Sequence, residues 1–163
     1  DRPYRHLGVV RAIPDSSWLS SRSACRTRAF PSHRPDGGVN FCESAVARWQ
    51  ERVARAIAPR EFLAYATAVL GSRTYQDQFG CDLSLDYPRI PPPRNADAFD
   101  AARDAGERLV RAFLDLRAAD AKEVAPRVCV VGHRNVSDTT LATALDLVDL
   151  AVCDAGLLEI GTA

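Results

Sequence analysis

The sequence contains no methionine, a single lysine, three histidines and two tryptophans. The missing methionine, absent even at position 1, predicts a processed product or a piece of a longer chain. No apolar run reaches the ~18 residues that a membrane span needs, and no basic segment leads into an apolar stretch as in a signal peptide. No CxxC pair occurs among Cys25, Cys42, Cys81, Cys129 and Cys153. An odd number of widely spaced cysteines suits neither a disulfide framework nor a zinc knuckle, and free thiols imply a reducing, cytoplasmic setting. His6, His33 and His133 are far apart and form no metal-ligand pair, so no metal site is expected. Gly-x-Ser-x-Gly, Gly-x-x-x-x-Gly-Lys and the three-glycine dinucleotide turn are all missing.

What is present suits one globular unit or slightly more. The 163 residues are 47% apolar and 26% charged, enough to bury a core and too apolar for a disordered tail. The zero net charge conceals a division. Residues 1–60 hold eleven arginines against five acids, a balance of +6, and the remainder balances at −6. Such asymmetry fits an anionic partner for the basic half, or two halves that neutralise each other. The twenty arginines to one lysine, with abundant alanine, also fit codon bias, so arginine content alone argues little.

The pattern along the chain predicts an α+β fold, with a short-strand and loop layer on a helical support and a C-terminal strand–helix unit. Residues 1–40 read as strand and loop. Leu7 to Val10 is apolar, and Cys25 to Ala29 alternates with Arg26 and Arg28 on one side, the period of a strand with one wet face. Pro35-Asp36-Gly37-Gly38 reads as a turn. Residues 41–117 read as helical. Val46, Trp49, Val53 and Ile57 recur on one helix face. A second helix runs from Pro59, where a missing N–H costs nothing, to Gly71. Ser72 or Thr74 would cap a short third helix through Tyr75 and Phe79, ended by Gly80. Tyr87 to Pro93 must be extended, because each proline expels its predecessor from the helical region. Burial of Tyr87 and Ile90 would anchor this strap. Asp97 would cap a long helix with a stripe of Phe99, Ala102, Leu109, Val110, Phe113 and Leu116. Residues 118–163 form a separate tail in this reading, truncated or added. Arg127 to Val131 marks a buried strand, and Ser137 or Asp138 would cap a helix through Leu141, Leu145, Val148 and Val152.

No catalytic constellation emerges. His133, in Gly132-His133-Arg134-Asn135, would need an acidic cluster to act as a phosphoesterase turn. The pairs Asp77/Asp82 and Asp100/Asp104 read as solvated faces before acid–base partners. The basic loop region is the better candidate. Arg22, Ser23, Arg26, Arg28, Arg34 and Asn40 are residue types that grip phosphates or base edges of duplex DNA. The competing readings are an idle basic surface and a helical docking module without direct DNA contact.

The stretch from Phe62 to Pro93, FLAYATAVLGSRTYQDQFGCDLSLDYPRIPPP, adds to the DNA-contact reading. It resembles the C-terminal specificity domain of Type ISP restriction–modification enzymes and related fused adenine methyltransferases. Leu70 to Gln76 is similar to the family's His-Ser-x-x-Tyr-Arg turn, and Pro88-Arg89-Ile90-Pro91 to its Pro-Arg-Ile-Pro. Gly106 matches the central glycine of the family's next helix. Ile13-Pro14-Asp15 and Ala29-Phe30-Pro31 resemble upstream pieces. Gly71 replaces a histidine, and Ala29 replaces the cysteine of Cys-Phe-Pro. The resemblance covers residues 8–117. It implies recognition of double-stranded DNA. Methylation with S-adenosylmethionine and cleavage would belong to methyltransferase and nuclease domains elsewhere in the parent chain, with no cofactor in this segment.

Overall fold

The computed structural model describes residues 7–10, 29–85, 87–118 and 129–131. Within them the fold is α+β, and helices dominate. Strand β1 (Gly8–Val10) and strand β2 (Phe30–Pro31) are followed by helices α1 (Glu43–Val53), α2 (Pro59–Gly71), α3 (Arg73–Leu85) and α4 (Ala96–Ala118), and then by strand β3 (Cys129–Val131). The alternating stretch before Ala29, the helix proposed after Ser137 and His133 lie outside the described residues.

The sheet is antiparallel, in the order β1-β3-β2. Val130 faces Val9 on one side and Phe30 on the other. The apolar run at 129–131 therefore finds its sheet in strands laid down about a hundred residues earlier. Pro31 sits on an outer strand, where its missing N–H leaves no central ladder bond unmade. Val9 and Val10 are buried, and β1 rests on α4.

Helix α2 is the hub. It is buried continuously from Leu63 to Gly71, as expected of a helix enclosed on several sides. Its widest interface is with α4. The two backbones approach most closely at Gly106, where a β-carbon would stand 1.8 Å from the Ala64 carbonyl oxygen. Only glycine permits that approach. Around the crossing lies an aromatic column. Phe41 meets Phe62 at 4.6 Å, Phe62 meets Trp49 at 4.7 Å, and Trp49 meets Tyr65 edge-on at 5.1 Å. Tyr65 then stacks on Phe99 at 5.3 Å. Burial pushes the pKa of the Tyr65 hydroxyl up.

Three local expectations are corrected. Gly80 does not end the third helix. It is buried inside α3, which continues to Leu85. Tyr75, Phe79 and Leu83, one turn apart, pack on the core, and that burial outweighs the ~1 kcal/mol helix penalty of a glycine. The cap of α4 is Asn95, whose Oδ1 accepts from the Ala98 N–H at 2.9 Å, while Asp97 lies in the first turn, facing the helix dipole. Tyr87 is 58% exposed. Ser72 does cap α3, its Oγ accepting from the Tyr75 N–H at 3.3 Å.

The extended strap is held by hydroxyls and by proline. Tyr65 donates to the Pro91 carbonyl at 3.0 Å, and Tyr75 donates to the Arg89 carbonyl at 2.8 Å. Pro93 is fully buried and Ile90 half-buried. Both tyrosines are rooted in helices, so the strap has a fixed position on α2 and α3.

An ion network closes the end of the bundle where α1 leads into α2. Arg55 bridges Glu61 at 3.0 Å and Asp100 at 2.7 Å. Arg103 bridges the same carboxylates at 3.1 and 2.7 Å and also reaches Asp104. Glu61 additionally accepts from the Ala58 N–H. Its carboxyl is held below its ordinary value of 4.5, first by the Arg55 hydrogen bond, against an opposing effect of burial. A depressed carboxyl pKa stabilises the fold above the ordinary value, and that contribution is lost as pH falls through the lowered one. Glu61→Gln is expected to cost about 1–2 kcal/mol at neutral pH. The gap between its melting temperature and that of the wild type should stay constant from neutral pH down to about 5 and narrow only as the pH falls below the ordinary value of 4.5. A gap independent of pH would mean that the charge of Glu61 contributes nothing.

Candidate nucleic-acid interface

Two of the six DNA-contact residues expected from sequence lie among the described residues, Arg34 and Asn40. Arg22, Ser23, Arg26 and Arg28 lie outside them. Arg34 and Asn40 sit on one hairpin. The His33↔Val39 bridge closes it, and the Arg34 N–H donates to the Gly38 carbonyl at 2.7 Å. Gly37 turns the chain with φ of +84°, a conformation that glycine adopts at little cost. Asp36 accepts from the Gly38 N–H at 2.9 Å.

The Arg34 guanidinium is 55% exposed and lies 3.4 Å from Asp36, which is itself 67% exposed. A pair so wet is worth little, so Arg34 can exchange Asp36 for a phosphate. Asn40 is more committed. Its Nδ2 donates to the Pro31 carbonyl at 2.9 Å, and its N–H donates to Ser32. These bonds fasten the root of the hairpin to β2. Its side chain lines a small apolar cavity of about 180 Å³ with Phe30, Phe41 and Phe62.

The hairpin leads directly into α1, which carries two arginines that the site expectation did not include. Arg48 and Arg52 are one turn apart and exposed, and among the described residues neither forms an ion pair. Arg108 on α4 is likewise exposed and unpaired among the described residues. The signal for Arg48 and Arg52 was in the sequence, since both lie off the stripe of Val46, Trp49 and Val53. Arg55 lies off it too, but is spent on Glu61 and Asp100.

The acidic pair Asp100/Asp104 is also spent, on Arg55 and Arg103. Asp77 and Asp82 are exposed on α3. Among the described residues no three histidine, cysteine or acidic side chains gather as a metal site. No described helix is long and apolar enough to cross a membrane.

The comparisons with known proteins decide the family. Residues 2–155 match the Type ISP C-terminal specificity domain. The chain belongs to that family. The match takes in both the Pro-Arg-Ile-Pro strap and β3, and it extends past residue 117, where the sequence resemblance ended. A Type ISP specificity domain has a target-recognition role in restriction–modification enzymes. No curated protein matches the chain, and neither does any solved structure.

Proposed function

We propose that this Type ISP specificity domain recognises its target by direct contact with double-stranded DNA, and that the basic N-terminal sixty residues supply the phosphate contacts. The observation that carries the reading is the run of exposed guanidinium groups at Arg34, Arg48 and Arg52, on a hairpin and the helix that follows it. Arg22, Ser23, Arg26, Arg28 and Asn40 complete the proposed surface. A hairpin pinned at its root by Asn40 is a rigid carrier for side chains that enter a groove. Adenine methylation with S-adenosylmethionine and cleavage are assigned to methyltransferase and nuclease domains of the parent protein, acting in the cytoplasm.

The test is binding to a random-sequence duplex at about 50 and 200 mM salt. Each neutralised phosphate contributes about 0.9 to the log–log slope, so each contact costs about 3.5-fold in affinity across that interval. Replacing Arg48 and Arg52 together by alanine should reduce the slope by nearly two such contacts. An unchanged slope removes α1 from the interface, and an absence of binding at the lower salt overturns direct contact by this chain.

A further inference from the structure

The exposed ring of Tyr87 borders an open cleft against the strap. This cleft, about 460 Å³, lies between α3 and the strap. Its size falls in the ~300–1,000 Å³ range of small-molecule sites. Phe79 and Leu83 line it from the helix, and Tyr87 and Pro88 from the strap, with Asp82 and Arg89 as the charged side chains of its wall. We propose that this cleft receives a single unstacked DNA base, which would lie against Tyr87. The proposal rests on the target-recognition reading and adds a site to it.

Three observations support it. Aromatic rings that stack on bases must be exposed, and Tyr87 is the most exposed large apolar side chain described, at 58%. Its position is fixed before any ligand arrives. The neighbouring prolines stiffen the backbone, Tyr75 holds the adjoining Arg89 carbonyl, and Phe30 meets the Tyr87 ring edge-on at 5.9 Å. A ring already held in place loses little entropy on binding. Finally, the apolar walls come with a carboxylate. Asp82 is exposed on α3, and a carboxylate accepts from the exocyclic amine of a base. Phe30 also links this cleft to the hairpin cavity, which it lines together with Pro88.

The probes are an oligodeoxyadenylate of about 16 nucleotides, within the range that single-strand sites cover, and an abasic strand of equal length. The two present the same phosphates and differ only in bases. The full chain should bind the base-bearing strand about 5- to 160-fold more tightly, the equivalent of one stacked base. Tyr87→Leu should remove that difference and leave affinity for the abasic strand unchanged, and Tyr87→Phe should keep it. Phe79→Leu should reduce it from the opposite wall, and the melting temperature of each variant separates misfolding from loss of stacking. Equal affinity of the wild type for the two strands overturns the cleft. So does a Tyr87→Leu variant that weakens both alike. Salt-dependent duplex binding together with equal strand affinities overturns the cleft alone. Failure to bind any of the three nucleic acids overturns the target-recognition reading with it.

Discussion

Gly106→Ala is expected to destabilise the domain by about 3 kcal/mol or more, despite placing a better helix former inside α4. Alanine gains up to ~1 kcal/mol over glycine in a helix interior. Against that gain stands a methyl group 1.8 Å from the Ala64 carbonyl oxygen and 2.6 Å from its carbon. These are backbone atoms of a buried helix, so no side chain can rotate out of the way. The helices must part instead, and the close packing of Ala102, Ala105 and Leu109, all fully buried, is lost with them. Overpacking of this kind costs ~1–3 kcal/mol where the surroundings yield, and more where they do not. For a chain of this length that is a fall in melting temperature of about 6–12 °C. Gly106→Val should leave no cooperative melting transition. Because the obstructing atoms belong to the backbone, Ala64→Gly should fail to rescue either variant. A Gly106→Ala protein that melts at or above the wild-type temperature would show that α2 and α4 are not packed at this distance.

Phe99→Ala is the second large effect, about 3–5 kcal/mol, the usual cost of emptying a fully buried aromatic site. Phe99 has no exposed surface and joins two parts of the structure. One face stacks on Tyr65 at 5.3 Å, 15° from parallel. The Arg55 guanidinium lies 5.3 Å from its ring centre. The same substitution therefore opens a cavity and withdraws a π-face from the arginine that binds Glu61 and Asp100. Phe99→Leu retains most of the volume and should lose less. Denaturant titration of Phe99→Leu, Arg55→Gln and the double variant measures the coupling, expected at about 0.5–2 kcal/mol. Purely additive losses would mean that the guanidinium gains nothing from the ring.

Both residues also act on the proposed interface through the strap. Tyr65 stacks on Phe99 and donates to Pro91, and Tyr75 donates to Arg89. The strap carries Tyr87, and Pro88 lines the Tyr87 cleft as well as the hairpin cavity. Loosening the α2–α4 core is therefore expected to loosen the strap that carries Tyr87 as well.

The sequence by itself determined the elements with strong local signals. Pro59 and Gly71 bound α2 because one lacks an N–H that the first turn does not use, and the other tolerates the helix end. The apolar stripe of α1 and the Pro-Asp-Gly-Gly turn are equally local, and the prolines of the strap dictate extended backbone wherever they stand. The order and spacing of Phe62 to Pro93 also identified the family. Tertiary structure decided the rest. Asn95 and Asp97 are both competent caps, and the start of α4 selects between them. Gly80 is a helix stop by propensity, yet the burial of Leu83 carries α3 past it. Tyr87 is apolar enough to be buried, but the strap turns it outward because Tyr65 and Tyr75 hold the carbonyls of its neighbours. The pairing of 129–131 with 8–10 and 30–31 depends on strands about a hundred residues apart, which no local period encodes. The same holds for charge. Arg48, Arg52 and Arg55 are equivalent in sequence, and only the approach of Glu61 and Asp100 commits Arg55 to the fold and leaves the other two exposed on α1.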